Sequence, residues 1–172
     1  MEERLYHENN AALPVMLSLI VAIISVGLLI FTLYITMVTD EFSLTSSTGT
    51  ILVATAVMMI MLAAFLFLLR IKITVTYTSL TVGVLRGRVV PIEDIRSVEA
   101  EDFSAFKDYF GWGVKIGRRG LGYIVAGTSR GLRIYTKEGI SHSTSFFISS
   151  KRTFEFESAM NAALKAKKDD RG

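Results

Sequence analysis

From Leu13 to Leu69 the chain carries two long uncharged runs, separated only by the short polar segment Asp40 to Gly49. No Asp, Glu, Lys, Arg or His lies between Glu8 and Asp40, or between Glu41 and Arg70. As helices, residues 13–39 would extend roughly 40 Å and residues 50–69 roughly 30 Å, against a bilayer hydrocarbon core of about 30 Å. A lipid-embedded chain must satisfy its own backbone hydrogen bonds, so the pattern predicts a two-helix transmembrane hairpin over 13–69, with an outer loop at 40–49. That loop holds Asp40 and Glu41 and no Lys or Arg, whereas Arg70 and Lys72 follow the second run at once. The preference of basic residues for the inner side then predicts a multi-pass protein of the cell membrane, with both termini, including segment 1–12, in the cytoplasm. A cleaved signal peptide is the competing reading of the first run. It lacks a basic n-region, is too long, and is followed by no small-residue cleavage site.

Charge divides the chain in the same place. Residues 1–69 contain one Lys/Arg and five Asp/Glu, a net of −4; the totals of 19 and 16 leave eighteen and eleven for residues 70–172, a net of +7. A basic domain beside the inner leaflet is drawn to anionic lipid by about 1 kcal/mol per cation near the surface. The basic residues are scattered rather than striped along a helix, which argues against nucleic acid as the partner. With no cysteine, and with His7 and His142 as the only histidines, neither a disulfide nor a clustered metal site is expected, and no cofactor. Neither span contains an ionisable residue of the kind that marks a transport path, so the hairpin reads as an anchor. Ser18, Ala22 and Ser25 on the first span, and Ala56 with Ala63 on the second, form small-residue faces for close helix packing.

After Arg70 the period changes to two. Ile71, Ile73, Val75 and Tyr77 alternate with Lys72, Thr74 and Thr76, predicting a strand that begins at the membrane surface. Further strands are expected over 80–85, 88–92, 95–100, 123–126, 132–136 and 140–147, about seven in all. Pro91 marks an edge or strand end, while Gly127 to Gly131 and Lys137 to Gly139 read as hairpin connections. One helical pattern closes the chain, over 150–168. Phe156, Ala159, Met160, Ala163 and Leu164 fall on one face, Lys167 is its next position, and Ser149 or Ser150 is placed to cap it. An amphipathic helix on a curled sheet predicts an α+β domain over 70–172 with a C-terminal capping helix.

This order, with Ile92-Glu93-Asp94-Ile95-Arg96-Ser97-Val98, Gly111-Trp112-Gly113-Val114 and Gly131-Leu132-Arg133-Ile134, resembles the bacterial and archaeal PH-like (pleckstrin-homology-like) membrane proteins. The resemblance covers roughly 71–166 and the hairpin before it. It implies a split β-barrel of two near-orthogonal sheets with a capping helix, used for binding and assembly without known catalysis. The basic K-x-n-[KR]-x-R pattern of lipid-binding PH domains is absent from the first hairpin, which turns at Thr78 and Ser79 without a cation.

Three groups of residues are candidates for function. Gly127-Thr128-Ser129-Arg130-Gly131 matches the nucleophile elbow G-x-S-x-G, but a strand rather than a helix follows, and His142 has no carboxylate beside it in sequence. A serine hydrolase using Ser129 and His142 is thus the alternative to a non-enzymatic module. Arg86 and Arg88 in one turn, and Lys115, Arg118 and Arg119 at another, are either solvated turn residues or ligands for lipid phosphate. Phe103, Phe106, Tyr109, Phe110 and Trp112 form the densest aromatic stretch, with Phe103, Phe106 and Phe110 on one helical face. They either add to the core or form an exposed patch for membrane or protein. The expected function is recognition of a protein partner or of anionic lipid head groups at the inner leaflet. A structural subunit of a larger membrane complex, or a homo-oligomer, is the third possibility.

Overall fold

The computed structural model describes residues 3–12, 14–38, 47–84, 87–137 and 145–169. The chain forms two units: residues 14–68, and residues 1–13 together with 69–172.

The first unit is a pair of helices, α1 (Val15–Val38) and α2 (Ser47–Leu68). Pro14 stands just before α1, where its missing N–H costs nothing. Ser18, Ser25 and Thr32 recur every seven residues and are buried, as are Ala56 and Ala63, while Met16, Ile23, Phe31, Met58 and Met61 point outward. Small side chains at heptad spacing let two helix backbones approach closely, the expected seam extended by Thr32. The buried hydroxyls are satisfied within their own helix: Ser25 donates to the Val21 carbonyl at 2.6 Å and Thr32 to the Leu28 carbonyl at 2.7 Å. Among the described residues one helix, α1 over Met16–Ile35, has the length and apolar character to cross a membrane. The apolar part of α2, Val53–Leu66, is shorter, because its first turn is Ser47, Thr48, Gly49 and Thr50. The expected loop 40–49 falls largely outside the described residues.

The second unit contains nine described strands, not about seven, in two sheets, and neither sheet closes into a barrel. Strands β1 (Arg4–Ala11), β2 (Arg70–Thr76), β3 (Ser79–Gly83) and β4 (Arg88–Pro91) make an antiparallel sheet in that order. Strands β5 (Ile95–Asp102), β6 (Gly113–Gly117), β7 (Gly120–Ile124), β8 (Arg130–Thr136) and β9 (Ser145–Ser149) make the other, ordered β5-β8-β9-β7-β6, with β7 and β9 parallel. The connection over Gly127–Gly131 is therefore no hairpin: it steps over β9, whose Phe146, Phe147 and Ile148 are buried between β7 and β8. Pro91 ends an edge strand, where a missing backbone donor is tolerated.

Residues 1–12, expected only as an N-terminal segment, contribute a strand to the β unit: Arg4–Ala11 pairs with β2 from Arg4↔Thr76 to Ala11↔Arg70. The helix pair is thus spliced between two paired strands, and the Ala12 N–H donates to the Leu69 carbonyl at 3.0 Å. The strand was hidden because one of its inward positions is a carboxylate. Glu8, only 6% exposed, accepts from the Tyr6 hydroxyl and the Ser150 hydroxyl, each at 2.5 Å, from the Lys151 N–H at 3.1 Å and from the Asn10 amide. Burial works to raise the Glu8 pKa, but these hydrogen bonds outweigh it and hold the carboxyl below the ordinary glutamate value.

The main core lies between the sheets and helix α4 (Thr153–Asp169). Alternate positions Ile71, Ile73 and Val75 of β2 meet Leu132 and Ile134 of β8, and Phe156, Ala159, Met160 and Ala163 of α4 seal them. Each such large side chain contributes about 1.5–3 kcal/mol by leaving water. The helix starts after the expected serine caps: Ser149 accepts the Val125 N–H instead, and Ser150 accepts the Arg152 N–H. At the far end the apolar face gives way to Lys167, whose ammonium donates to the carbonyls of Ile92, Glu93 and Ile95 at 3.1, 3.2 and 3.1 Å. A cation is tolerated on this stripe because it satisfies the backbone at the short 3-10 turn Ile92–Asp94.

Candidate binding surface

Between β5 and β8 the chain builds a subdomain, a short helix α3 (Ala105–Tyr109) resting on the β6–β7 hairpin. Ser104 starts α3 by accepting the Lys107 N–H, and Asp108 accepts the Ser104 N–H at 2.8 Å. Two glycines permit the docking. A Cβ on Gly117 would lie 2.1 Å from the Asp108 carbonyl oxygen, and one on Gly122 would lie 2.6 Å from the Tyr109 ring. Gly111, Gly113, Gly120 and Gly127 around them hold positive φ, as turns here require.

Beneath this subdomain lies a charged network. Buried Arg133 donates from Nε to Glu101 Oε1 at 2.9 Å, from Nη2 to the same carboxylate and to the Tyr109 hydroxyl at 3.2 Å, and from Nη1 to the Arg119 carbonyl at 2.9 Å. Burial works to lower the Arg133 pKa, and Glu101 and Tyr109 together outweigh it and raise it. Burial raises the Tyr109 pKa against the opposing Arg133 charge, so its hydroxyl stays protonated at neutral pH. Arg119 lies 3.4 Å from Asp108 and 3.9 Å from Glu101.

The expected site residues therefore separate. Phe103 is buried against Tyr109 and Phe147, because α3 begins only at Ala105 and does not carry Phe103 on a shared face with Phe106 and Phe110. Arg119 is held in the network. Phe106 and Phe110 are 61% and 64% exposed, Trp112 is half-buried edge-on to Phe106, and Lys115 and Arg118 are exposed. Arg88 is half-buried, with its guanidinium 5.1 Å over the Phe146 ring. Arg86 lies outside the described residues, as does His142. Ser129 is exposed on the β7–β8 connection, and a strand follows it as expected. Among the described residues no group of three His, Asp or Glu side chains gathers as metal ligands would.

Two apolar residues were not foreseen: Val114 and Ile116 of β6 are 45% and 83% exposed. The signal was the alternation Val114-Lys115-Ile116 between glycines, a short strand whose sheet position the sequence does not disclose. Because β6 is an edge, both side chains outrun the core. Phe110 adds a further observation. Its φ of 60° makes it the one described non-glycine residue in the left-handed region, yet its side chain is exposed. The left-handed conformation closes α3 as its C-cap, with the Phe110 N–H donating to the Phe106 carbonyl at 3.2 Å, at a backbone cost of about 1 kcal/mol. Phe106, Phe110 and Trp112 lie with α3 on one face of the β6–β7 hairpin, whereas Val114 and Ile116, paired with Tyr123 and Leu121, lie on the other, the side of the main core.

No family model matches the chain, and neither the curated proteins nor the solved structures compared with it gave a significant match.

Proposed function

We propose that the chain is a membrane-anchored, non-enzymatic binding module of the PH-like kind, with both helices crossing the bilayer and the β unit held at the inner leaflet. One observation carries this reading: the apolar helix pair is spliced between paired strands β1 and β2 with no linker, α2 ending at Leu68 and β2 starting at Arg70. A module joined in that way cannot leave the surface that holds its helices. The β1–β4 meander, the β5-β8-β9 set and the closing helix α4 support the likeness to PH-like domains. The helix pair, and α3 with its hairpin, then stand as insertions in that plan.

The exposed rings of Phe106 and Phe110 on α3 are the binding element, for anionic head groups or a protein partner, since exposed apolar patches mark interaction sites. A photoreactive residue introduced at Phe106 of the full chain in its membrane tests this. The expected result is an adduct with lipid or with one discrete protein, in excess over the same probe at exposed Ser158. Equal, weak labelling at both positions would contradict the reading.

A further inference from the structure

A groove of about 430 Å³ lies within the β unit, bordered by Gly83, Val84, Arg88, Val114 and Tyr123. Arg88 is its one charged residue, and among the described residues no carboxylate lines it. The guanidinium is oriented by the Phe146 ring beneath it and by a hydrogen bond with the Tyr123 side chain. Burial raises the Tyr123 pKa, so at neutral pH the phenol is uncharged and does not neutralise the arginine. An oriented cation inside a groove with apolar lips complements a phosphate that carries oily substituents.

The strand register gives the location. Arg88 pairs with Val82, Gly83 with Lys72, and Arg70 with Ala11. The groove therefore borders the end of the sheet at which the chain passes into α1 and returns from α2. Arg70 and Lys72 are exposed at that end and add positive charge. The geometry points to an anionic phospholipid of the anchoring bilayer as the occupant, its phosphate on Arg88 and its glycerol esters against Val84 and Val114. This assignment rests on the anchored reading, since only an anchored module keeps this end of the sheet beside head groups.

Val84→Trp, made together with Trp112→Phe, places the single tryptophan in the groove lining. The test uses this full chain in nanodiscs of phosphatidylcholine with increasing brominated phosphatidylglycerol, followed by tryptophan fluorescence quenching. Quenching is expected to saturate at low anionic lipid. Arg88→Gln is expected to raise the half-saturating fraction about tenfold, the effect of one charge-assisted contact. Val114→Glu, which leaves Arg88 in place, is expected to do the same at an exposed edge position, so the proposal does not hang on the folding of one variant. Equal quenching when the bromine is carried by the phosphatidylcholine instead, or a half-point unchanged in both variants, overturns the groove assignment. Abolition of the quenching by millimolar glycerol phosphate also overturns it, in favour of a free phosphate ester. Release of the chain from membranes by alkaline washing overturns the anchored reading itself, a different result from a retained chain indifferent to lipid charge.

Discussion

Removing the Glu8 carboxylate tests how the N-terminal strand is held. In Glu8→Ala, the Tyr6 hydroxyl, the Ser150 hydroxyl and the Lys151 N–H lose their shared acceptor. An orphaned buried donor costs about 1–3 kcal/mol. Tyr6 and Ser150 lie 2.9 Å apart and keep each other as partners, and Lys151 is exposed, so the three losses do not sum. The expected destabilisation is about 2–3 kcal/mol, the upper part of the range for an orphaned buried donor. In Glu8→Gln, which keeps an acceptor oxygen without the charge, it is about 1–2 kcal/mol. Unfolding followed through Trp112 fluorescence in the full chain reads both. The pH dependence supplies a second check. Because the folded Glu8 pKa is depressed below its ordinary 4.5, its contribution is fully present above that pH and is lost as pH falls through the lowered folded value. Wild type should therefore lose stability on acidification over that window more steeply than Glu8→Gln. A loss below about 1 kcal/mol in Glu8→Ala, or identical acid slopes in wild type and Glu8→Gln, would refute the reasoning.

Other perturbations bear on the remaining joints. Phe110→Gly relieves the left-handed backbone and should raise stability by about 1 kcal/mol while reducing photo-adducts at Phe106; a variant less stable than wild type would show that Phe110 packs inward. Gly117→Ala drives a methyl against the Asp108 carbonyl and should cost about 1–3 kcal/mol with increased hydrogen exchange in α3, whereas a neutral effect would show that α3 does not rest on the hairpin. Lys167→Met keeps the apolar stem but withdraws three carbonyl contacts, and should lower stability by about 1–2 kcal/mol with faster exchange around Ile92–Ile95; unchanged exchange there would count against the contact.

What the sequence disclosed, and what it hid, follows from how far apart the deciding partners lie. The alternation from Ile71 to Val75 and the stripe from Phe156 to Ala163 are local patterns with one buried face, and both elements form where they were expected. Strand β1 was missed because Glu8 stands where an apolar residue would announce a strand. Beside Tyr6 and Asn10, the partners that make that carboxylate acceptable inside are Ser150 and Lys151, over a hundred residues away in sequence. Strand β6 was missed for the opposite reason: its Val114 and Ile116 face out, and Gly117 and Gly122 of the hairpin serve α3. In the site, the aromatic cluster was legible as a cluster, but the division between buried Phe103 and exposed Phe106 and Phe110 depends on where α3 begins. Arg119 looked free beside its turn because Asp108 and Glu101 reach it only through the fold. Parallel pairing of β7 with β9 is a long-range choice that no local turn signal records.

The central claim is that the helices cross a bilayer twice and leave the β unit on its inner side. The chain has no cysteine of its own, so single cysteines can be placed at will. With Thr45→Cys and Lys165→Cys made separately in the full chain, a membrane-impermeant maleimide applied to intact cells should label position 45 and reach position 165 only after the cells are opened. Labelling of position 165 in intact cells would contradict the account.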